Sequence, residues 1–202
     1  MRLIERLGRI KISILTIMGI NEIECRFLEI DKDALIKKLR NLGATDKGEK
    51  TLDETIVYDP EFKWRDEQKF VRLRRAGDKT YLTYKDHSVH SVDGTIEVEF
   101  GVDNYEKAEM FLKKIGLVIF RRQQKIRHTF QLEKVTVDID QWPKIPVYVE
   151  LEGNSEKDLK AAASILGLRW ENADFHGARW VIENKYNIPV SKMRWFTFDK
   201  VE

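Results

Sequence analysis

The chain has 202 residues, enough to bury a sizeable core in one domain with appendages. Lys and Arg number 36 against 34 Asp and Glu, a formal charge of +2, which excludes the marked basic excess of a general nucleic-acid binder. Charged residues still make up 35% of the chain, above the usual ~25%, so the excess goes either to a wet surface or to a charge-lined interior.

In chain order, Arg2, Arg6 and Arg9 precede an apolar run at 12–18 that is too short to span a bilayer and is followed by no small-residue cleavage site. Residues 1–20 read as an N-terminal extension, either a genuine helix or arm or the product of a mis-assigned start. A strand over 21–28 follows. Cys25, the lone cysteine, points to its apolar side; the chain can form neither an internal disulfide nor a Cys-rich zinc site, which suits a reducing cytoplasm. Asp31 caps a helix carrying Leu35, Ile36, Leu39 and Leu42 on one face and stopping at Gly43. Residues 51–58 form a strand, and 69–75 with 80–85 form a hairpin around Gly77-Asp78. A polar loop at 87–94 holds His87 and His90, which have no carboxylate motif around them and read as solvated side chains, not a zinc site.

The first pattern then returns twice. The strand at 95–102 leads to Asp103 as cap, then Ala108, Phe111, Leu112 and Ile115, stopping at Gly116. After a strand pair at 124–132 and 134–140 and a crossover at 142–146, the strand at 147–152 leads to a cap at Asn154 or Ser155, then Leu159, Ala162, Ala163 and Leu166, stopping at Gly167. Three passes of acidic strand, capped amphipathic helix and Leu/Ile-Gly predict a quasi-repeating β-rich fold with its helices outside the sheet. The divisions are 1–20, a main domain at 21–169, and a C-terminal helix and tail at 170–202 packed on it. That tail holds a short helix at 180–186 and a strand or docking segment at 193–198.

The chemistry lies in the alternation. Glu22 and Glu24, Glu97 and Glu99, and Glu150 and Glu152 each flank one apolar residue, so both carboxylates of a pair project from the same face of a strand. At about 7 Å and an effective dielectric of about 20 they repel by roughly 2 kcal/mol, a cost that a cation between them would remove. Arg72 with Arg74, Lys125 with Arg127, and Asp138 with Asp140 follow the same spacing, Arg26 shares the face of Glu24, and Lys85 lies two residues beyond Thr83. An antiparallel sheet with one wet side gives such alternation too. Sorting of charge by strand and the use of Arg at 72, 74 and 127 favour a charged lumen instead. Carboxylates attract a hard divalent cation and clustered Arg and Lys a polyanion, and a metal-chelated triphosphate satisfies both.

In order along the chain, Glu22-Ile-Glu24-Cys-Arg26, Asp53 with Tyr58-Asp59, Val71-Arg-Leu-Arg74, Thr83-Tyr-Lys85, Glu97-Val-Glu99, Lys125-Ile-Arg127, Asp140 and Glu150-Leu-Glu152 resemble the motif set of the CYTH superfamily, the triphosphate tunnel metalloenzymes. The resemblance covers about residues 20–167. It implies an α+β fold, an eight-stranded antiparallel β-barrel tunnel with helices packed outside. It also implies Mg²⁺ or Mn²⁺ as cofactor and a small-molecule triphosphate (ATP, thiamine triphosphate or tripolyphosphate) as substrate, with no membrane and no nucleic-acid partner. A homodimer is compatible but not specified by the sequence.

Carried over by position, Glu22, Glu24, Asp140, Glu150 and Glu152 resemble metal ligands or groups behind them. Arg26, Arg72, Arg74, Lys85, Lys125 and Arg127 resemble triphosphate contacts. Glu97, Glu99 and Arg26 resemble catalytic groups, the glutamates by positioning a water. Asp138 is expected to face inward with Asp140. Arg26 departs from the family's usual lysine and is the poorer proton donor.

The Leu-Gly-Ala turn after the first helix and the Leu-Thr-Tyr-Lys strand are similar to the branch holding class IV adenylate cyclases and thiamine triphosphatases. Hydrolysis and cyclisation of the triphosphate both fit, as does a non-catalytic module that binds polyphosphate, nucleotides or RNA 5′ ends. His128 is expected on the outward phase, Trp142 in a structural crossover or under a base, and Trp64, Trp170, Trp180 and Trp195 in the core or at the rim.

Overall fold

The computed structural model describes residues 23–86 and 96–202. Residues 1–20, Glu22, His87 and His90 lie outside the described residues.

Eight antiparallel strands run in the order β1-β8-β7-β6-β2-β3-β4-β5. They are β1 (Ile23–Phe27), β2 (Thr45–Tyr58), β3 (Lys69–Ala76), β4 (Lys79–Asp86), β5 (Ile96–Val102), β6 (Val118–Leu132), β7 (Val135–Gln141) and β8 (Tyr148–Gly153). A flat sheet would set β4 and β8 about 24 Å apart, five strand spacings of about 4.8 Å. Lys85 on β4 nevertheless acts electrostatically on Glu150 of β8, so the sheet is curled into a half-barrel. Strands β2 and β6 both begin about six residues before the hydrophobic pattern suggests, because they pair with each other almost end to end, Thr45 opposite Gln131 and Tyr58 opposite Val118.

Among the described residues five α-helices flank the sheet: α1 (Lys32–Asn41), α2 (Lys63–Asp66), α3 (Tyr105–Lys114), α4 (Glu156–Leu166) and α5 (Ala178–Asn184). The repeating unit is present three times, as β1-α1, β5-α3 and β8-α4. Asp31 and Ser155 cap α1 and α4 as their positions suggest. Helix α3 is capped by Asn104, whose extended backbone lets its side chain accept from the Lys107 amide at 2.7 Å, and not by Asp103. Helices α1 and α4 bury Leu35, Leu39, Leu159 and Leu166 against Cys25, Val137, Val149 and Leu151 on the outer face of β1, β7 and β8. Burial, its largest influence, pushes the Cys25 thiol up to about 12, so this cysteine is packing and not a nucleophile. Leu112 of α3 fills the corresponding place against Val57 and Val71 of β2 and β3.

The C-terminal segment belongs to the sheet. Asp174 and Arg26 exchange two backbone hydrogen bonds of 2.8 Å, placing residue 174 on the edge of β1. Among the described residues no ladder joins β5 to β1. The chain then crosses the end of the sheet where β7 passes into β8. There Ile182, Val190 and Phe196 pack on Trp142, Ile145 and Tyr148. It finishes as β9 (Trp195–Phe196), parallel to β6 at Arg122 and Gln123, upstream of the part of β6 that β7 covers.

Candidate active site: an ion-paired lumen

Alternation along each strand turns one face toward the helices and the other toward the concave side. On β6 the phase that packs outward holds His128, stacked on Phe130 at 4.5 Å and bonded to Asp46 at 2.7 Å, as its sequence position suggests. The opposite phase holds Lys125 and Arg127. On β7 it holds Asp138 and Asp140, on β8 Glu150 and Glu152, and on β1 Glu24 and Arg26. This half of the lumen is nearly dry: Asp140 is 0% exposed, Arg26 3%, Lys125 5% and Glu150 5%.

Arg127 organises it. Its Nε and Nη2 fork onto Asp140 at 2.6 Å each, Nη2 also reaches Glu150 at 3.0 Å, and Nη1 pairs with Asp138. Lys125 Nζ adds a second cation to Asp140 at 2.7 Å. Arg26 Nη2 bridges Glu24 at 2.8 Å and Glu150 at 2.6 Å, while its Nη1 donates to the His176 carbonyl at 2.7 Å. Burial acts to raise the Glu150 carboxyl, but Arg26, Arg127 and Lys125 outweigh it and hold it well below the usual range. Burial likewise acts to lower the Arg26 guanidinium, and Glu150 with Glu24 drive it well above. Burial wins at Lys125, kept low with help from Arg127, and at Asp138, kept high despite Arg127.

The second wall runs from β2 to β5. Arg74 Nε donates to Glu54 at 2.7 Å, and Arg72 spans Glu54, Glu97 and Glu99 at 3.5–3.9 Å. Lys85 pairs with Glu97 at 2.6 Å, and the Thr83 hydroxyl donates to Glu99 at 2.7 Å. Glu54 is buried, yet Arg74, Arg72 and Lys125 overcome that burial and hold its carboxyl far below the usual range. Acidic and basic strands thus lie beside one another, and the signs sorted by strand in the sequence meet as cross-strand pairs.

Two properties suit a ligand. Glu24, Glu150 and Glu152 each offer a carboxylate oxygen within 4.8 Å of the others, an oxygen-only donor set fitting Mg²⁺ or Mn²⁺ better than zinc. The Nε groups of Arg26 and Arg72 are buried without a hydrogen-bond partner. A cleft of about 540 Å³ also opens on the outer wall near Tyr105, Arg122 and Trp195, but Arg122 there is already bonded to Thr55, Tyr105 and Glu109.

The family model of the CYTH domain matches residues 21–173. The chain belongs to the CYTH family. A curated relative from Methanocaldococcus jannaschii, named "putative adenylate cyclase", is 24% identical over 142 residues, 68% of this chain and 81% of its own length. Among solved structures, a "putative adenylate cyclase" from Vibrio parahaemolyticus superposes with a TM-score of 0.70 at 15% identity, covering 82% of this chain and 99% of that one. A Hippeastrum protein, titled as a "putative adenylyl cyclase" with "a dominant triphosphatase activity", gives 0.57 at 14% identity, covering 84% and 94%. These likenesses show the CYTH fold.

Of the residues singled out in the sequence, Glu24, Arg26, Arg72, Arg74, Lys85, Glu97, Glu99, Lys125, Arg127, Asp138, Asp140 and Glu150 are joined by the contacts above, and Glu152 lies with Glu24 and Glu150. Asp140 stands outside that three-carboxylate group, engaged by its two cations. Sequence reasoning missed Glu54, Asp174 and His176. It also left Trp142 open to a base, whereas the indole is buried and donates to the Tyr148 hydroxyl at 2.9 Å. Glu54 shares its face with Leu52 and Ile56, so no alternation of charge marked it; Asp174 and His176 carried no strand signal at all.

Proposed function

We propose that this CYTH protein is a metal-dependent enzyme that processes a triphosphate bound in the lumen, with hydrolysis the favoured outcome. The observation that carries it is the pair of buried, partnerless guanidinium nitrogens of Arg26 and Arg72, contributed by two walls of one lumen. An unsatisfied buried donor costs about 1–3 kcal/mol, and a chelated polyanion would satisfy both. Arg26, Arg72, Arg74, Lys85, Lys125 and Arg127 would then spread over the phosphate oxygens. Glu24, Glu150 and Glu152 would hold Mg²⁺ or Mn²⁺, with Glu22 and Asp140 assigned to the same task by the family pattern. Bound there, the metal would neutralise phosphate charge and polarise the phosphoryl group under attack.

Glu97 and Glu99 sit on the wetter wall, where a carboxylate can orient a water and take its proton as the new P–O bond forms and the bridging P–O bond breaks. Arg26 is a fixed positive charge: with Glu150 and Glu24 raising its affinity for the proton, it stabilises a leaving oxygen by charge and hydrogen bonding, not by giving up a proton. Cyclisation of a nucleoside triphosphate to a cyclic nucleotide and pyrophosphate is the second reading, favoured by the names of the archaeal and Vibrio relatives. No helix among the described residues is long and apolar enough to cross a membrane, and we place the enzyme in the cytoplasm, where the single buried thiol stays reduced.

The test is phosphate release from ATP, thiamine triphosphate and tripolyphosphate with Mg²⁺ or Mn²⁺, with cyclic AMP measured in parallel. Metal-dependent turnover that is lost in Glu24→Gln and Glu150→Gln supports the enzyme. Tight binding without turnover makes the protein a polyanion-binding module, and absence of both overturns the triphosphate reading.

A further inference from the structure

The lumenal face does not end at β1. Asp174 and Arg26 exchange both backbone hydrogen bonds, and directly opposed residues of an antiparallel pair carry their side chains on the same face. Asp174 therefore points to the side from which Arg26 reaches Glu24 and Glu150. Two residues on, the chain bends at His176, whose backbone amide donates to the Asp174 carboxylate at 2.9 Å. The His176 carbonyl is the third acceptor of the Arg26 guanidinium. Arginine's fork lets one side chain hold Glu24, Glu150 and this carbonyl together, so the residue that departs from the family's lysine ties the C-terminal strip to the lumen.

What the strip presents is aromatic. The His176 imidazole lies 3.6 Å from the Trp180 ring and within 11° of parallel. It is fixed in that pose by Asp174 Oδ1, 2.7 Å from its Nδ1 and 2.9 Å from its backbone amide. Lys185 Nζ approaches the same assembly, 3.6 Å from Asp174 and 5.7 Å from the indole centroid. Yet the stack is not buried: 53% of the His176 side chain is exposed, and Trp180 is 37% exposed. It is not needed to fasten the tail, which is already held by the Arg26–Asp174 pair, by the Val190 carbonyl accepting from Arg121 at 2.9 Å, and by β9 on β6.

We propose that His176 and Trp180 form a stacking platform for the heterocyclic base of the substrate, so that the lumen selects a nucleoside triphosphate over inorganic tripolyphosphate. The proposal rests on the triphosphate reading above and narrows its substrate class. An imidazole already immobilised on an indole adds a third ring at little ordering cost. Stacking of this kind tolerates any base, because every base has a π-face.

The experiment is calorimetric titration of the full-length protein with Mg²⁺ and the imido analogues of ATP and of tripolyphosphate, which resist turnover. His176→Ala and Trp180→Ala should each weaken the ATP analogue about tenfold more than the tripolyphosphate analogue, the size of one base–aromatic stack. His176→Phe, which keeps the ring, should restore the ratio and also serves if the alanine variants fail to fold. A ratio unchanged in the alanine variants overturns the platform and leaves the triphosphate reading standing. Failure of the wild type to bind either analogue overturns both.

Discussion

The two walls of the lumen are made of the same residue types and differ in how much water they keep. On the β6-β7-β8-β1 wall the side chains of Asp140, Arg26, Lys125 and Glu150 are 0%, 4%, 6% and 7% exposed; the β2-to-β5 wall is as dry at Glu54 and Arg72, 2% and 11%, but wet at its margin, where Lys85, Glu97 and Glu99 are 19%, 27% and 35% exposed. The physics differs accordingly. Buried ion pairs gain strong attraction but suffer heavy desolvation, so losing one partner is costly, whereas wet pairs contribute little. The dry wall is a pre-formed electrostatic template that cannot easily rearrange. On the proposed reading, the wetter margin exchanges its internal partners for those of the triphosphate.

The sharpest way to break this contrast is Arg127→Met. It removes a cation shared by Asp138, Asp140 and Glu150 and should cost about 3–5 kcal/mol. Thermal unfolding should show it as a fall of roughly 10 °C.

On the other wall, Lys85→Ala, which removes a partly exposed partner of Glu97, should leave the fold standing while weakening triphosphate binding roughly 10- to 100-fold, the worth of a charge-assisted hydrogen bond; titration calorimetry reads it. A collapse in unfolding temperature comparable to that of Arg127→Met would erase the distinction between the walls.

Acid separates the groups by sign. Glu54 and Glu150 are held below their ordinary values, so in the folded state they stay charged at a pH where the unfolded chain has taken up protons. Their stabilisation is complete above about pH 4.3, the unfolded value, and is lost as the pH falls toward their folded values. Asp138 is raised by burial, so it binds its proton more readily when folded and opposes that trend above its ordinary value. Urea midpoints between about pH 7 and about pH 3 should fall in the wild type. The fall should be shallower in Glu54→Gln and steeper in Asp138→Asn.

The smallest effect belongs to Glu99→Gln, which should change stability by less than about 1 kcal/mol, as read from the urea midpoint. If Glu99 positions the attacking water, the same variant should lower kcat in the phosphate-release assay.

Most of the lumen was legible because the strand period is two, so a charge at every second position declares a face. Arg72 and Arg74, Glu150 and Glu152, and Lys125 and Arg127 needed nothing further. Strand β2 broke the code: Asp53 bonds Gln124 at 2.7 Å and Thr55 meets Tyr105 at 2.5 Å on the helix side, while the lumenal phase mixes Glu54 with Leu52 and Ile56. Polar contacts outside and apolar ones inside leave no clean alternation to read. Asp174 and His176 were out of reach for another reason. Their place on β1 depends on a pairing across about 150 residues, and such closure leaves no local periodicity. The helix caps were nearly legible, with α3 displaced by one residue because Asn104 and Asp103 are both competent and backbone geometry decides between them.

The seam between β1 and β5 is unequal on its two sides. Asp174 stitches the border of β1 through backbone bonds, whereas β5 has no ladder partner beyond β4 among the described residues and turns Ile96, Val98 and Phe100 outward, each about half exposed. Among the described residues the sheet is thus stitched along one margin and not along the other. On the proposed reading, adjustment to a triphosphate falls to the β4-β5 edge, which carries Lys85, Glu97 and Glu99, while the three-carboxylate corner on β1 and β8 stays where the fold has set it.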